Sequence, residues 1–311
     1  MFKVMMYLLL LVGFALLIKG ADFFVEGSSS VAKLLGIPSV VIGLTIVAMG
    51  TSAPEAAVSI TAGLAGSNAI AVSNVVGSNL FNLLVVAGTC AAIKAFPLEH
   101  EIIKRDFPVN IFAVILLLIL CLDGVLGQLD GVLLLVCMAI YLIVVVRSAM
   151  KNRQTAEEEI KTLSPLMSLL FIVGGLACIV IGGDLVVDNA VLIAQSWGLS
   201  ETFIGLTIIA MGTSLPELVT SVVAACKGES GLALGNVVGS NIFNLFLILG
   251  LSSSLHPITI AGDMMLNAIV MGVATILFFL LALPKKQVSR FMGFASVAVY
   301  LCYTVYLVLA S

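Results

Sequence analysis

Charge is scarce in this chain. Only 10% of its 311 residues are Asp, Glu, Lys or Arg, and the formal net charge is −3. A mean hydropathy of +1.24 excludes a water-soluble domain of this size. Basic runs are missing, so nothing points to nucleic acid as a partner. Histidine occurs twice, as His100 and His256, in connections and without partner spacing. The six cysteines (Cys90, Cys121, Cys137, Cys178, Cys226, Cys302) show no CxxC or other metal-ligand spacing. They read as small hydrophobes within apolar runs. No nucleophile–base pair, phosphate loop or cofactor motif stands in the connections, so an enzyme is the least supported class and no cofactor is expected.

What remains is apolar sequence in stretches of roughly 20 residues, the length that crosses a bilayer as a helix. The runs are continuous and do not alternate, which argues against a β-barrel. The first run continues past Lys19 toward Val31, so it reads as a retained helix and not a cleaved signal. Ten spans are expected, at 4–33, 39–64, 70–92, 106–123, 129–147, 165–195, 201–226, 232–254, 264–283 and 290–310. A polar stretch from Arg147 to Ser164 divides them into five and five. The organisation is thus a first repeat over 1–150, a linker over 151–164 and a second repeat over 165–311. An odd number of spans per half makes the second half enter from the opposite side. The fold class is therefore all-α polytopic membrane protein, ten helices in two inverted-topology five-helix repeats.

Charge gives the orientation. With the N-terminus outside, the inner connections carry Lys33, Lys94, Lys104, Arg105, Arg147, Lys151, Arg153, Lys161, Lys227, Lys285, Lys286 and Arg290. The outer connections carry no Lys or Arg. Both termini are then outside and the 147–164 loop is cytoplasmic, in a cell (inner) membrane.

Two stretches are nearly one sentence written twice. Gly43-Leu-Thr-Ile-Val-Ala-Met-Gly-Thr-Ser-Ala-Pro-Glu55 is matched by Gly205-Leu-Thr-Ile-Ile-Ala-Met-Gly-Thr-Ser-Leu-Pro-Glu217. Asn74-Val-Val-Gly-Ser-Asn-Leu-Phe-Asn82 is matched by Asn236-Val-Val-Gly-Ser-Asn-Ile-Phe-Asn244. One offset of 162 aligns both, and 24 of 41 positions from Gly43 to Leu83 agree, which marks an internal repeat. In the first motif Gly50 and Pro54 are expected to interrupt the helix and free carbonyls near Ala48. Those carbonyls, Thr51, Ser52 and Glu55 are hard oxygen donors suited to Na⁺ or Ca²⁺. The second copy supplies Ala210, Thr213, Ser214 and Glu217. Ser52-x-x-Glu55 and Ser214-x-x-Glu217 also match capping boxes that would merely restart a kinked helix. Capping does not explain a carboxylate near mid-membrane, where it costs about 2.5–3.5 kcal/mol. In the second motif Ser78 and Asn82 share one helix face, as do Ser240 and Asn244. Gly77 and Gly239 would permit close helix contact, and interhelical hydrogen bonding is the bland alternative. Asn79 and Asn241 point elsewhere and carry less weight.

A site with two carboxylates and no basic residue is neutralised by one Ca²⁺ or by two Na⁺. Mg²⁺ resists dehydration, and Zn²⁺ lacks His or Cys here, so both suit the site less well. Asp22 and Glu26 on the first span map onto Asp184 and Asp188 on the sixth. Each pair lines one helix face, either as an ion access path or satisfied by neighbours such as Lys19. Met49 and Met211 beside the break read as packing residues.

At these residues the chain resembles the calcium/cation antiporter superfamily, and most closely bacterial sodium/calcium exchanger-like proteins. The Gly-Thr-Ser-x-Pro-Glu and Gly-Ser-Asn-x-x-Asn elements look like that superfamily's two α-repeats. The resemblance implies alternating access around four cation positions between spans two, three, seven and eight. It implies ligands at Glu55, Glu217, Thr51, Thr213, Ser52, Ser214, Ser78, Ser240, Asn82 and Asn244, with backbone oxygens from Ala48 and Ala210. It also implies that spans one and six slide across the core. Some members carry aspartate where this chain has Asn244; here Asn82 and Asn244 are both neutral. The expected function is exchange of Na⁺ for Ca²⁺, with a Ca²⁺/H⁺ or K⁺-dependent antiporter as the alternative and a cation channel as the rival from another class. The expected partners are those ions and the lipid bilayer, with no obligate protein partner evident.

Overall fold

The computed structural model describes residues 2–64, 68–151, 163–198, 210–260 and 262–310. Its elements are α1 (Phe2–Leu35), α2 (Ser39–Thr51), α3 (Ala53–Leu64), α4 (Ile70–Ile93), α5 (Phe107–Leu120), α6 (Gln128–Lys151) and α7 (Pro165–Ser196). After a helical turn at Ala210–Gly212 come α8 (Leu215–Cys226), α9 (Ser230–Leu255), α10 (Gly262–Ala282) and α11 (Arg290–Ala310). Helices dominate because each satisfies its own backbone N–H and C=O groups inside a bilayer. Among the described residues, seven helices are long and apolar enough to cross a membrane, and the bent pair α2–α3 makes an eighth. The span expected at 106–123 is a helix from Phe107 to Leu120 led in by a π turn at Ile102–Asp106. The start of the span expected at 201–226 lies outside the described residues.

The centre is built from small and polar residues. α9 is almost wholly enclosed although Asn236, Ser240, Asn241 and Asn244 lie along it. α2 runs parallel to α9 at close range: a Cβ on Gly235 would sit 2.5 Å from the Val40 carbonyl, and one on Gly239 would sit 2.8 Å from Ala48 Cβ. In a membrane such contact replaces the hydrophobic drive that soluble cores use.

The two longest helices, α1 and α7, pack antiparallel along a seam of small residues. Gly13 meets Gly182, Gly20 meets Gly175, and Gly27 meets Ser168, each at a heptad step. A Cβ on Gly20 would come within 2.8 Å of the Gly175 carbonyl, and a Cβ on Gly175 within 2.7 Å of the Gly20 carbonyl. One end of this pair is tied to the α8–α9 connection. Lys227 Nζ lies 2.6 Å from Asp22 Oδ1 and 3.8 Å from Glu26 Oε2, and Lys33 Nζ lies 3.8 Å from Glu229 Oε1.

Four short strands join the connections in antiparallel pairs. β1 (Phe96–Pro97) pairs with β4 (Gln287–Val288), and β2 (Val125–Leu126) pairs with β3 (Ile258–Thr259). Adding 162 to β1 gives β3, and adding it to β2 gives β4, so each pair joins non-equivalent strands of the two halves.

All six cysteines are free. Cys90 and Cys121 are buried, but Cys226 and Cys302 are exposed, so those two do not pack as core residues. Met49 is likewise 50% exposed and turns away from the bundle.

Candidate functional site: two glutamates at a pair of helix breaks

The first break falls at Ser52, where φ −82° and ψ 7° end α2, and α3 leaves at 50° to it. Gly50 is inside the helix, not at the interruption. A Cβ there would lie 3.1 Å from Phe24 Cζ and 3.3 Å from Leu176 Cδ1, so this glycine lets α1 and α7 approach. Nor does the proline free the Ala48 carbonyl: Ser52 N–H donates to it at 3.0 Å. The i→i−4 rule explains why, since the N–H missing from Pro54 would have reached Gly50. Ala48 therefore retains only its second lone pair for another partner. The second copy breaks at Ser214, with φ −91° and ψ 6°. Ala210 opens the helical turn before it.

Ser214 makes no side-chain capping bond to its own helix. Ser52 Oγ instead donates to Glu217 Oε1 at 2.9 Å, and Ser214 Oγ donates to Glu55 Oε1 at 3.0 Å. Each break thus holds the carboxylate of the other half, which a capping box would not do. Thr213 also lies beside Glu55, and Thr51 and Ser240 lie beside Glu217. Both glutamates are fully buried. Neither has a basic partner among the described residues, whose ion pairs all involve Lys33, Arg105 or Lys227.

The partner helices change geometry at the motif asparagines. A π turn runs from Asn82 to Val86 in α4, and another from Asn244 to Ile248 in α9. Such turns widen a helix and re-aim its side chains. α8 packs on the Asn82 turn and α3 on the Asn244 turn, which brings the second motif of each half to the first motif of the other.

Of the buried side-chain oxygens left without a hydrogen bond among the described residues, six belong to the two motifs' glutamates, serines and asparagines: Glu55 Oε2, Glu217 Oε2, Ser78 Oγ, Ser240 Oγ, Asn82 Oδ1 and Asn244 Oδ1, with Asn82 Nδ2 the one unpaired amide donor beside them. Each such group costs about 1–3 kcal/mol if nothing satisfies it. Acceptor-rich, donor-poor and free of His or Cys, this set suits a hard cation. Among the described residues no group of three or more His, Cys, Asp or Glu is placed to hold a metal ion.

Asn79 and Asn241, given little weight from the sequence, form the central crossing. Each Nδ2 donates to the other's backbone carbonyl at 3.2 Å, and Asn244 Nδ2 donates to Asn79 Oδ1 at 2.9 Å. Gly239 makes the close contact expected of it, with α2. The stretch equivalent to that part of α2 lies outside the described residues, so the expectation for Gly77 falls there.

The acidic pairs separate into two environments. Asp22 and Glu26 are satisfied by Lys227, not by Lys19. Asp184 and Asp188 line a cavity of about 370 Å³ with Pro54, Gly183, Thr213 and Pro216, which reaches from α7 to both helix breaks. His256 is exposed, as is His100.

Buried carboxylates at paired helix breaks inside a multi-pass helical bundle define a secondary ion transporter. The chain belongs to the sodium/calcium exchanger protein family, whose model matches residues 5–147 and again 167–309. CaxA of Alkalimonas amylolytica is 41% identical over 90% of this chain and 90% of its own length. The sodium/calcium exchanger MaX1 of Methanosarcina acetivorans is 32% identical over 97% of this chain and 98% of its own. A solved structure of the sodium-calcium exchanger NCX_Mj superposes with a TM-score of 0.87 at 31% identity, covering 98% of this chain and 99% of that one.

Proposed function

We propose that this protein exchanges Na⁺ for Ca²⁺ by alternating access, with the ions held by Glu55, Glu217 and the oxygens gathered around them. The reciprocal capture of each glutamate by the other half's serine carries the reading. It supports one shared site in place of two separate kinks. The ligands are Thr51, Ser52, Thr213, Ser214, Ser78, Ser240, Asn82 and Asn244, with the second lone pair of the Ala48 carbonyl and the Ala210 carbonyl. Two carboxylates are neutralised by one Ca²⁺, whereas three Na⁺ would leave a net positive charge. The ions therefore compete for one set of charges.

The architecture is ten spans in two inverted halves, 1–150 and 165–311, joined by the linker 151–164. Two observations support the inversion. α1 and α7 are equivalent helices yet run antiparallel. The β1–β4 and β2–β3 pairs require the connections they join to share a membrane face, as ten alternating spans demand. With the charged connections inside, both termini lie outside and the 147–164 loop is cytoplasmic. The Asp184–Asp188 cavity then opens outward, and the Lys227 and Lys33 ion pairs close the inner end. Residence in an inner membrane agrees with a relative named inner membrane protein YrbG, from Escherichia coli, 34% identical over 80% of this chain.

The neutral Asn82 and Asn244 favour one second reading, in which the two glutamates trade protons for Ca²⁺. The site itself is tested by Glu55→Gln and Glu217→Gln in proteoliposomes. Each abolishes Na⁺-driven Ca²⁺ uptake while the protein still elutes as wild type. Near-normal exchange in either variant overturns the assignment.

A further inference from the structure

Two buried or half-buried asparagines stand behind the site, and among its proposed ligand side chains they touch the threonines. Thr51 Oγ1 has three acceptors within reach: Asn236 Oδ1 at 3.0 Å, the Val47 carbonyl at 3.1 Å and the Ala48 carbonyl at 3.5 Å. A hydroxyl has one proton to give. If a backbone carbonyl takes it, that carbonyl loses a lone pair that would otherwise face a cation. In the other half, Thr213 Oγ1 lies 3.4 Å from Asn74 Oδ1.

Which end of the Asn74 amide faces the threonine follows from its other partners. Asn74 Nδ2 lies 3.2 Å from the Glu55 backbone carbonyl and 2.9 Å from Ser59 Oγ. A carbonyl only accepts, so the nitrogen must be on that side and the oxygen must face Thr213. Asn236 is placed alike, with Nδ2 2.9 Å from Ser221 Oγ; that hydroxyl can donate or accept, so the orientation of Asn236 is carried over from its equivalence with Asn74. Ser59 and Ser221 are related by the same offset of 162 as the asparagines. Each asparagine therefore braces its own half's glutamate-bearing helix and presents an acceptor to the other half's threonine.

We propose that Asn74 and Asn236 are positioning residues: each takes the hydroxyl proton of the facing threonine, so that the threonine oxygen offers its lone pairs to the transported cation. This rests on the site reading above. The reversed amide would donate to the threonine, occupy one of those lone pairs and send the hydroxyl proton onto a carbonyl.

The test is equilibrium binding of radiolabelled Ca²⁺ to the purified full chain carrying Asn236→Leu, Thr51→Val, both, or Glu217→Gln. Asn236→Leu and Thr51→Val each weaken Ca²⁺ binding roughly three- to ten-fold, the worth of one hydrogen bond. The proposal requires the double variant to be no weaker than the worse single, because Asn236 reaches the cation through Thr51 and its Ser221 bond only holds α8. In transport, Asn236→Leu raises the KM for Ca²⁺ and leaves turnover near wild type. Multiplying losses in the double variant, or unchanged binding with Asn236→Leu, overturn the proposal while loss of binding in Glu217→Gln keeps the site intact. Retained binding in Glu217→Gln would instead overturn the site and the proposal with it. If Asn236→Leu does not fold, the half-buried pair Asn74→Leu and Thr213→Val carries the same comparison.

Discussion

The serine at each break faces two glutamates, and the choice between them can be measured. Ser52 is three residues from Glu55 in sequence, the spacing of a local cap. In the structure its hydroxyl donates to Glu217 at 2.9 Å, 165 residues away. A hydrogen bond to a charged group contributes about 1.5–3 kcal/mol, which is about 10- to 150-fold in an equilibrium constant. A double-mutant cycle isolates that term. Ser52→Ala, Glu217→Leu and the double variant, unfolded by SDS titration in mixed micelles without Na⁺ or Ca²⁺, should give a coupling of about 1.5–3 kcal/mol. The cycle of Ser52→Ala with Glu55→Leu should give less than about 0.5 kcal/mol. Ser214 with Glu55 should behave like Ser52 with Glu217, since its bond is 3.0 Å. A larger coupling within a half than between halves would refute the crossed arrangement and return the serines to capping.

Two further outcomes are expected. Adjacent glycines on α7 should respond oppositely: a Cβ at Gly175 would lie 2.6 Å from Phe24 N, whereas nothing lies within 4 Å of one at Gly174 among the described residues. Gly175→Ala should lose about 1–3 kcal/mol in the same unfolding assay and Gly174→Ala almost none; equal effects would count against the α1–α7 seam. Neutralising Asp184 and Asp188 together should lower apparent Ca²⁺ affinity a few-fold in 10 mM salt and not in 150 mM, because screening shortens from roughly 30 Å to 8 Å. Asp22→Asn with Glu26→Gln should have no such salt-dependent effect, as Lys227 already offsets those charges.

The multi-pass helical class and the pair of repeated glutamates were legible because they depend on local composition and on a motif that occurs twice, although seven or eight spans, not ten, stand out among the described residues. The partners of those residues were not. Ser52-x-x-Glu55 looks self-sufficient in sequence, and only the packing of one half against the other hands Ser52 to Glu217. The π turns at Asn82 and Asn244 leave no residue-type signature, since they arise from backbone register against a neighbouring helix. Lys227 and Asp22 are 205 residues apart, so Lys19 was the nearer but wrong partner for that acid pair. Asn74 and Asn236 did leave a signal: both stand in the repeated motif, as Ser59 and Ser221 stand in the repeat between motifs. Their importance was hidden because one contact of each runs to a threonine in the opposite half.

Radiolabelled Ca²⁺ uptake into proteoliposomes loaded with Na⁺, Li⁺, K⁺ or choline at matched pH tests the central claim most directly. The account predicts uptake with internal Na⁺ and none with the other three, lost again in Glu217→Gln. Uptake that ignores Na⁺ and follows an imposed pH gradient would contradict it and make the two glutamates proton carriers.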